Sequence, residues 1–144
     1  MMRQTPALES GVTPVSAGGL ATGVEGEGGR PPVGRMRIVH LGKYYTPYRG
    51  GMETVLRNLC EAHADRASVT ALVARHRPGT VKEQIAGVSI IRVWRLGNPW
   101  SVPITPGTLR WIRRLPADIL VHHEPNPFVL LVCLLARPRA PFVI

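Results

Sequence analysis

Beyond Met36 the chain alternates short, β-branched apolar runs with blocks whose apolar residues recur every three or four positions, and few folds accept that alternation. Strands joined through helices need right-handed crossovers, which lay the strands parallel in one sheet with helices packed against it. The expected fold is therefore α/β, a Rossmann-like parallel sheet with helices on both faces. Ligands of such sheets bind at the carboxyl ends of the strands, so the residues delivered there are the ones to examine.

Arg37-Ile-Val-His-Leu41, stopped by Gly42, reads as a strand buried on both sides. A polar, aromatic loop follows, and after Gly50-Gly51 the residues Met52, Val55, Leu56, Leu59, Cys60 and His63 recur at helical spacing. Glu53 in the first turn, Arg57 four residues on and Arg66 near the end suit the helix dipole and side-chain pairing. Val69 to Ala74 and Val88 to Trp94 read as strands, with Val81 to Ile85 as a short hairpin partner of the latter. Pro106 to Leu115 is a short basic helix, Asp118 to Val121 a further buried strand, and Phe128 to Ala136 a buried helix with Asn126 as its cap and Pro127 at its first position. Pro141 to Ile144 begins another strand.

Residues 1–35 are rich in Gly, Pro, Ser, Thr and Ala and show no period of either kind, so they read as a disordered tail, with Met36 an alternative start. The folded part is residues 36–144. Cys60 and Cys133 both sit in apolar patterns, with no metal-ligand spacing around them, which argues against a zinc site or a disulfide framework and for a reducing compartment. No apolar run approaches the roughly 20 residues needed to span a bilayer. The expected location is cytoplasmic, with peripheral contact to an anionic membrane left open by the cluster Trp94, Arg95, Trp100, Arg110, Trp111, Arg113 and Arg114.

Eighteen basic against nine acidic residues give a net charge of +9, and sixteen of the cations are arginine. That balance fits a polyanionic partner, whether nucleotide diphosphate, anionic lipid or nucleic acid, and fits a solvated arginine-rich surface equally well. Nucleic acid is the weaker of these, because the arginines are scattered and no helix-turn-helix, zinc-finger or RNA-binding signature occurs.

Two segments carry the candidate chemistry. The loop Lys43-Tyr-Tyr-Thr-Pro-Tyr-Arg-Gly-Gly-Met-Glu-Thr54 places two glycines at a helix start, where free N–H groups and the dipole favour an anion and the missing side chains let a ligand approach. Neither the dinucleotide fingerprint nor the P-loop pattern is present. The second segment is His122-His-Glu124 at the end of a strand, where an imidazole is suited to hydrogen-bond a ligand hydroxyl near neutral pH. Strand alternation sends the two histidines to opposite faces, so one of them faces packing.

The run from Gly42 through Gly-Gly-Met-Glu-Thr-Val-Leu56, followed by His-His-Glu-Pro-Asn-Pro127, resembles the N-terminal domain of glycosyltransferase subfamily 4-like proteins, the retaining GT-B enzymes. The likeness covers Met36 to Ile144, and one departure is Thr46, where the family often has a second proline. The resemblance implies the N-terminal, acceptor-side half of a GT-B fold, truncated, and transfer of a sugar from a nucleotide diphosphate sugar to a saccharide or lipid-linked acceptor. It implies retention at the anomeric carbon, no metal and no other cofactor, and a donor held mainly by a second domain, so that this part alone is expected to be inactive. It assigns His123 to the transferred sugar, as the catalytic candidate, and Gly50 and Gly51 to the donor phosphates or the acceptor. Beside them Lys43, Arg49, Tyr45 and Glu124 are candidate substrate contacts. The rival expectation, from composition alone, is a non-catalytic basic α/β module that binds nucleic acid or a partner chain.

Overall fold

In the computed structural model, which describes residues 34–144, the elements run β1 (Arg37–Leu41), α1 (Gly51–Ala64), β2 (Ser68–Arg75), β3 (Val81–Ile85), β4 (Val88–Trp94), α2 (Gly107–Arg114), β5 (Ile119–His122), α3 (Pro127–Ala136) and β6 (Phe142–Val143). The tail expected over residues 1–35 lies almost wholly outside the described residues. The six strands form one sheet in the order β3-β4-β2-β1-β5-β6, parallel throughout except that β3 pairs antiparallel with β4. This is the α/β, Rossmann-like arrangement expected.

Alternation along the strands builds two cores. Ile38, Val69, Ala71, Val73, Val88 and Ile90 face one side, where Leu56 and Cys60 of α1 cover them. Val39, Leu41, Leu72, Ile91, Val93 and Leu120 face the other, under Ile112 of α2 and Val129, Val132 and Cys133 of α3. Each such side chain taken out of water contributes on the order of 2 kcal/mol, so both faces of the central strand are held strongly. The two thiols are free and buried, and burial pushes Cys60 up to about 12 and Cys133 up to about 11.

Three local expectations need correction. In α1 only Leu56 and Cys60 of the apolar stripe are fully buried, while Met52, Val55 and Leu59 are exposed, because a helix on one face of a sheet buries a narrow strip. Arg57 pairs with Glu61 at 3.9 Å and not with Glu53, whose carboxylate folds back toward Gly50, and Arg66 lies beyond the end of the helix. The helix α3 is not buried all round: Val129, Val132, Cys133 and Ala136 pack on the sheet, and Leu131, Leu134 and Leu135 are exposed, Leu134 at 66%. Its cap is as expected, with the Asn126 side chain accepting from the Val129 amide at 3.3 Å and Pro127 at the first position.

The two sheet edges differ. At one edge β3 presents Lys82, Glu83 and Gln84 to solvent, and at the other lies the two-residue β6.

Candidate functional site

The path of the chain creates an opening between β1 and β5. From β1 it passes through α1 to β2 on one face, whereas from β5 it passes through α3 to β6 on the other. The carboxyl ends of these two neighbouring strands form the topological switch point at which such sheets bind ligands. A crevice of about 180 Å³ lies there. It is lined by Gly42, Lys43 and Tyr44 after β1, by Met52, Glu53 and Leu56 in the first turns of α1, and by His123, Glu124 and Pro125 after β5.

The walls are tied to the sheet. The Gly42 amide donates to the Leu72 carbonyl at 3.1 Å and the His123 amide to the Leu41 carbonyl at 2.9 Å, so strand pairing continues into the lining itself. At Gly42 the helix α1 packs tightly: a Cβ built there would lie 2.3 Å from Cδ2 of Leu56. Only glycine accepts that approach without movement of the buried leucine.

The histidine pair divides as alternation requires. His122 is 2% exposed, its ring stacks on Phe142 at 6.0 Å, and its Nε2 lies 3.0 Å from a Glu124 oxygen. His123 is half-buried and lines the crevice. Burial, and then the neighbouring His122, lower its pKa from the usual histidine range, which keeps the imidazole neutral at pH 7. Glu124 lines the crevice as well, and its second oxygen accepts from the Asn126 amide at 3.0 Å, fixing the entry to α3.

The other candidates are distributed unevenly. Lys43 is in the crevice with His123. Gly50 and Gly51 are exposed at the head of α1, just before the lining residues Met52 and Glu53, and a Cβ at Gly51 would meet open space. Arg49 lies in a neighbouring cavity of about 200 Å³ with Thr46, Tyr48, Thr54 and Arg57, and Glu53 borders both. Tyr45 is a correction. Its ring is 0% exposed within the core under α1, and burial pushes its hydroxyl up to about 12, so it packs and does not reach a ligand. The aromatic available to the crevice is its neighbour Tyr44, which stacks on His76 at 4.8 Å and accepts from Arg95 at 3.1 Å.

Within this arrangement a neutral imidazole, a lysine and two carboxylates converge on one small opening, a set suited to gripping hydroxyl groups from several directions. The model of the family described as Glycosyltransferase Family 4 matches residues 49–144, which takes in every element from α1 to β6. The chain belongs to Glycosyltransferase Family 4. Glycosyl transfer is the chemistry of that family, and a sugar donor and an acceptor are its general partners. No curated protein and no solved structure matches the chain.

Two further groups bear on this family site, and the motif reading passed over both. Arg92, in the middle of β4, pairs with Glu83 and donates to the carbonyl oxygens of Tyr45, at 3.2 Å, and Thr46, which pins the loop before the diglycine from below. His40, next to the last residue of β1, lies between His123 and His63. The available signal was a polar residue inside an otherwise apolar strand, Arg92 in Val-Ser-Ile-Ile-Arg-Val-Trp and His40 in Arg-Ile-Val-His-Leu. Among the described residues no group of three or more His, Cys, Asp or Glu side chains is arranged to hold a metal ion.

Proposed function

We propose that the chain is the acceptor-side, N-terminal part of a retaining glycosyltransferase of GT-B type, which carries a sugar from a nucleotide diphosphate sugar to a saccharide or lipid-linked hydroxyl without a metal. The observation that carries this reading is His123 standing across the switch-point crevice from the head of α1. A crevice of about 180 Å³ is smaller than the roughly 300–1,000 Å³ of a complete small-molecule site. It therefore suits one wall of a cleft whose other wall, a second domain, holds the donor nucleotide.

The placement of Glu53 refines the roles. Its carboxylate already lies at the start of α1, within 2.1 Å of where a Gly50 Cβ would be, so an arriving phosphate meets a negative charge there. An acceptor hydroxyl fits this wall better, with Glu53 and Glu124 accepting from it and Lys43 donating to it. The rival reading as a nucleic-acid module loses cations to internal contacts: Arg37 to Asp118, Arg75 to the Pro78 carbonyl, Arg92 to Glu83 and Arg95 to His76. No helix among the described residues is long and apolar enough to cross a membrane, and the reading includes a cytoplasmic protein that touches an anionic bilayer through exposed groups such as Trp100, Arg110, Arg113 and Arg114.

The test is amide NMR of the chain titrated with saccharide acceptors and nucleotide diphosphate sugars, followed by anomeric analysis of the product formed by the full-length enzyme. Acceptor-induced shifts at Gly42, Glu53 and His123, with a product anomer matching the donor, support the reading. An inverted product removes retention, and shifts produced only by nucleic acid remove the transferase.

A further inference from the structure

His40 is 1% exposed, yet both of its ring nitrogens are occupied by other imidazoles. Its Nδ1 lies 2.9 Å from Nε2 of His123 and its Nε2 lies 3.3 Å from Nδ1 of His63, on α1. The ring centroids are 5.2 and 5.4 Å apart with interplanar angles of 26° and 23°. Each centroid separation exceeds the corresponding N···N distance by roughly two ring radii, so the rings meet edge to edge, nearly in plane, the geometry of N–H···N hydrogen bonds and not of face stacking. His123 opens on the crevice, His40 is sealed from solvent on β1, and His63 is half-buried in the last turn of α1.

We propose that His123, His40 and His63 form a proton relay that carries a proton from the crevice to solvent beside the far end of α1. Each neutral imidazole has one donor and one acceptor nitrogen, so the two hydrogen bonds form only when all three rings share one tautomer. With all three protonated on Nε2, His123 donates to His40 and His40 donates to His63. A proton taken up on Nδ1 of His123 is then balanced by transfer of its Nε2 proton to Nδ1 of His40, of the His40 Nε2 proton to Nδ1 of His63, and of the His63 Nε2 proton to water. All three rings finish neutral and protonated on Nδ1, and no charge is left in the core.

Burial lowers His40 to about 4, with His123 and His63 adding to the effect, so the middle ring stays neutral at pH 7 as such a chain requires. The titratable groups acting on it are those two histidines, one from the segment after β5 and one from α1. Here His40 and His63 are positioning residues that act through His123. The idea rests on the sugar-transfer reading only for the origin of the proton, an acceptor hydroxyl.

Long-range proton–nitrogen NMR of the whole chain with labelled histidines, in the absence of any sugar, tests it. The expected result is one shared tautomer for His40, His63 and His123. In addition, His63→Phe, at a half-buried helix position, should move the midpoint of His123 by about half a pH unit or more, although His63 does not touch His123. Should His40→Gln fold, it should uncouple His123 from His63 altogether. Mixed tautomers in the native chain, or an unmoved His123 in His63→Phe, overturn the relay. Because no substrate is present, loss of the transferase reading would leave this result standing, and the converse also holds.

Discussion

The guanidinium of Arg92 reaches from β4 to the Tyr45 carbonyl at 3.2 Å, so a strand not adjacent to β1 fixes the loop that follows β1. Glu83 holds the other side of the same guanidinium, which leaves the charge paired although Arg92 is nearly sealed from water. Replacing Arg92 by Met strands the Glu83 carboxylate and two carbonyls. Partial exposure of Glu83 softens the cost, and we expect a loss of about 3 kcal/mol in urea unfolding. Arg92→Lys should recover little, since an ammonium cannot supply the planar fork. Equal stability of Arg92→Lys and the native chain would contradict this account.

Gly42→Ala should cost about 1–3 kcal/mol by driving a methyl group into Leu56. Leu56→Val alone opens a small cavity and costs about 1 kcal/mol. Because the two changes relieve each other, the double variant should lose clearly less than their sum in thermal melts. Strict additivity would mean that the helix shifts instead.

His40 gives a pH dependence. Its folded value of about 4 lies below the ordinary 6.5, so stability is full above pH 6.5 and falls as acid protonates the unfolded chain but not the folded one. The loss between pH 6.5 and 4 is about 3 kcal/mol. Denaturant midpoints measured across that interval should flatten in His40→Gln.

Asp118 acts lower on the pH scale. The Arg37 side chain, donating at 2.6 Å, and the Arg37 amide, donating at 2.8 Å, hold its carboxyl down to about 2 from 3.8. Its stabilising effect is therefore present above about pH 4 and disappears as pH falls toward 2. In Asp118→Asn the acid unfolding curve should lose its dependence on that window, with the slope above pH 4 unchanged.

His122 and His123 should differ in what they do to activity. His123→Ala in the full-length enzyme should lower kcat/KM for glycosyl transfer by about tenfold or more, as expected when a hydrogen bond to substrate is lost, and should also cost about 1–3 kcal/mol of stability, because Nδ1 of the buried His40 loses its partner. His122→Ala should lower stability with a smaller effect on kcat/KM, since its ring supports Phe142 and Glu124. Normal turnover in His123→Ala would remove that residue from the site.

Much of this architecture was legible in the residues. The strands β1, β2, β4 and β5 were marked by apolar, largely β-branched runs, and the switch of period at Gly50, Pro106 and Asn126 marked each α-helix start. Alternation alone put His122 and His123 on opposite faces, and the choice of His123 for the site came from the family resemblance. Burial of neighbouring loop residues did not, because no period governs a loop: Tyr44 and Tyr45 look alike in the sequence, and only the Arg92 anchor and the approach of α1 decide which ring goes inward. Contacts between residues far apart in the chain, such as His40 with His63 and His123, leave no trace beyond a polar residue in an apolar strand.

The unlike borders of the sheet give it a direction of growth. Along β3 the exposed polar residues Lys82, Glu83 and Gln84 discourage a foreign strand from docking, as charged borders do in proteins that avoid aggregation. Backbone pairing by a newcomer, whether from the same polypeptide or another, is left to the side of Phe142 and Val143, so whatever enlarges this scaffold enlarges it away from the hairpin.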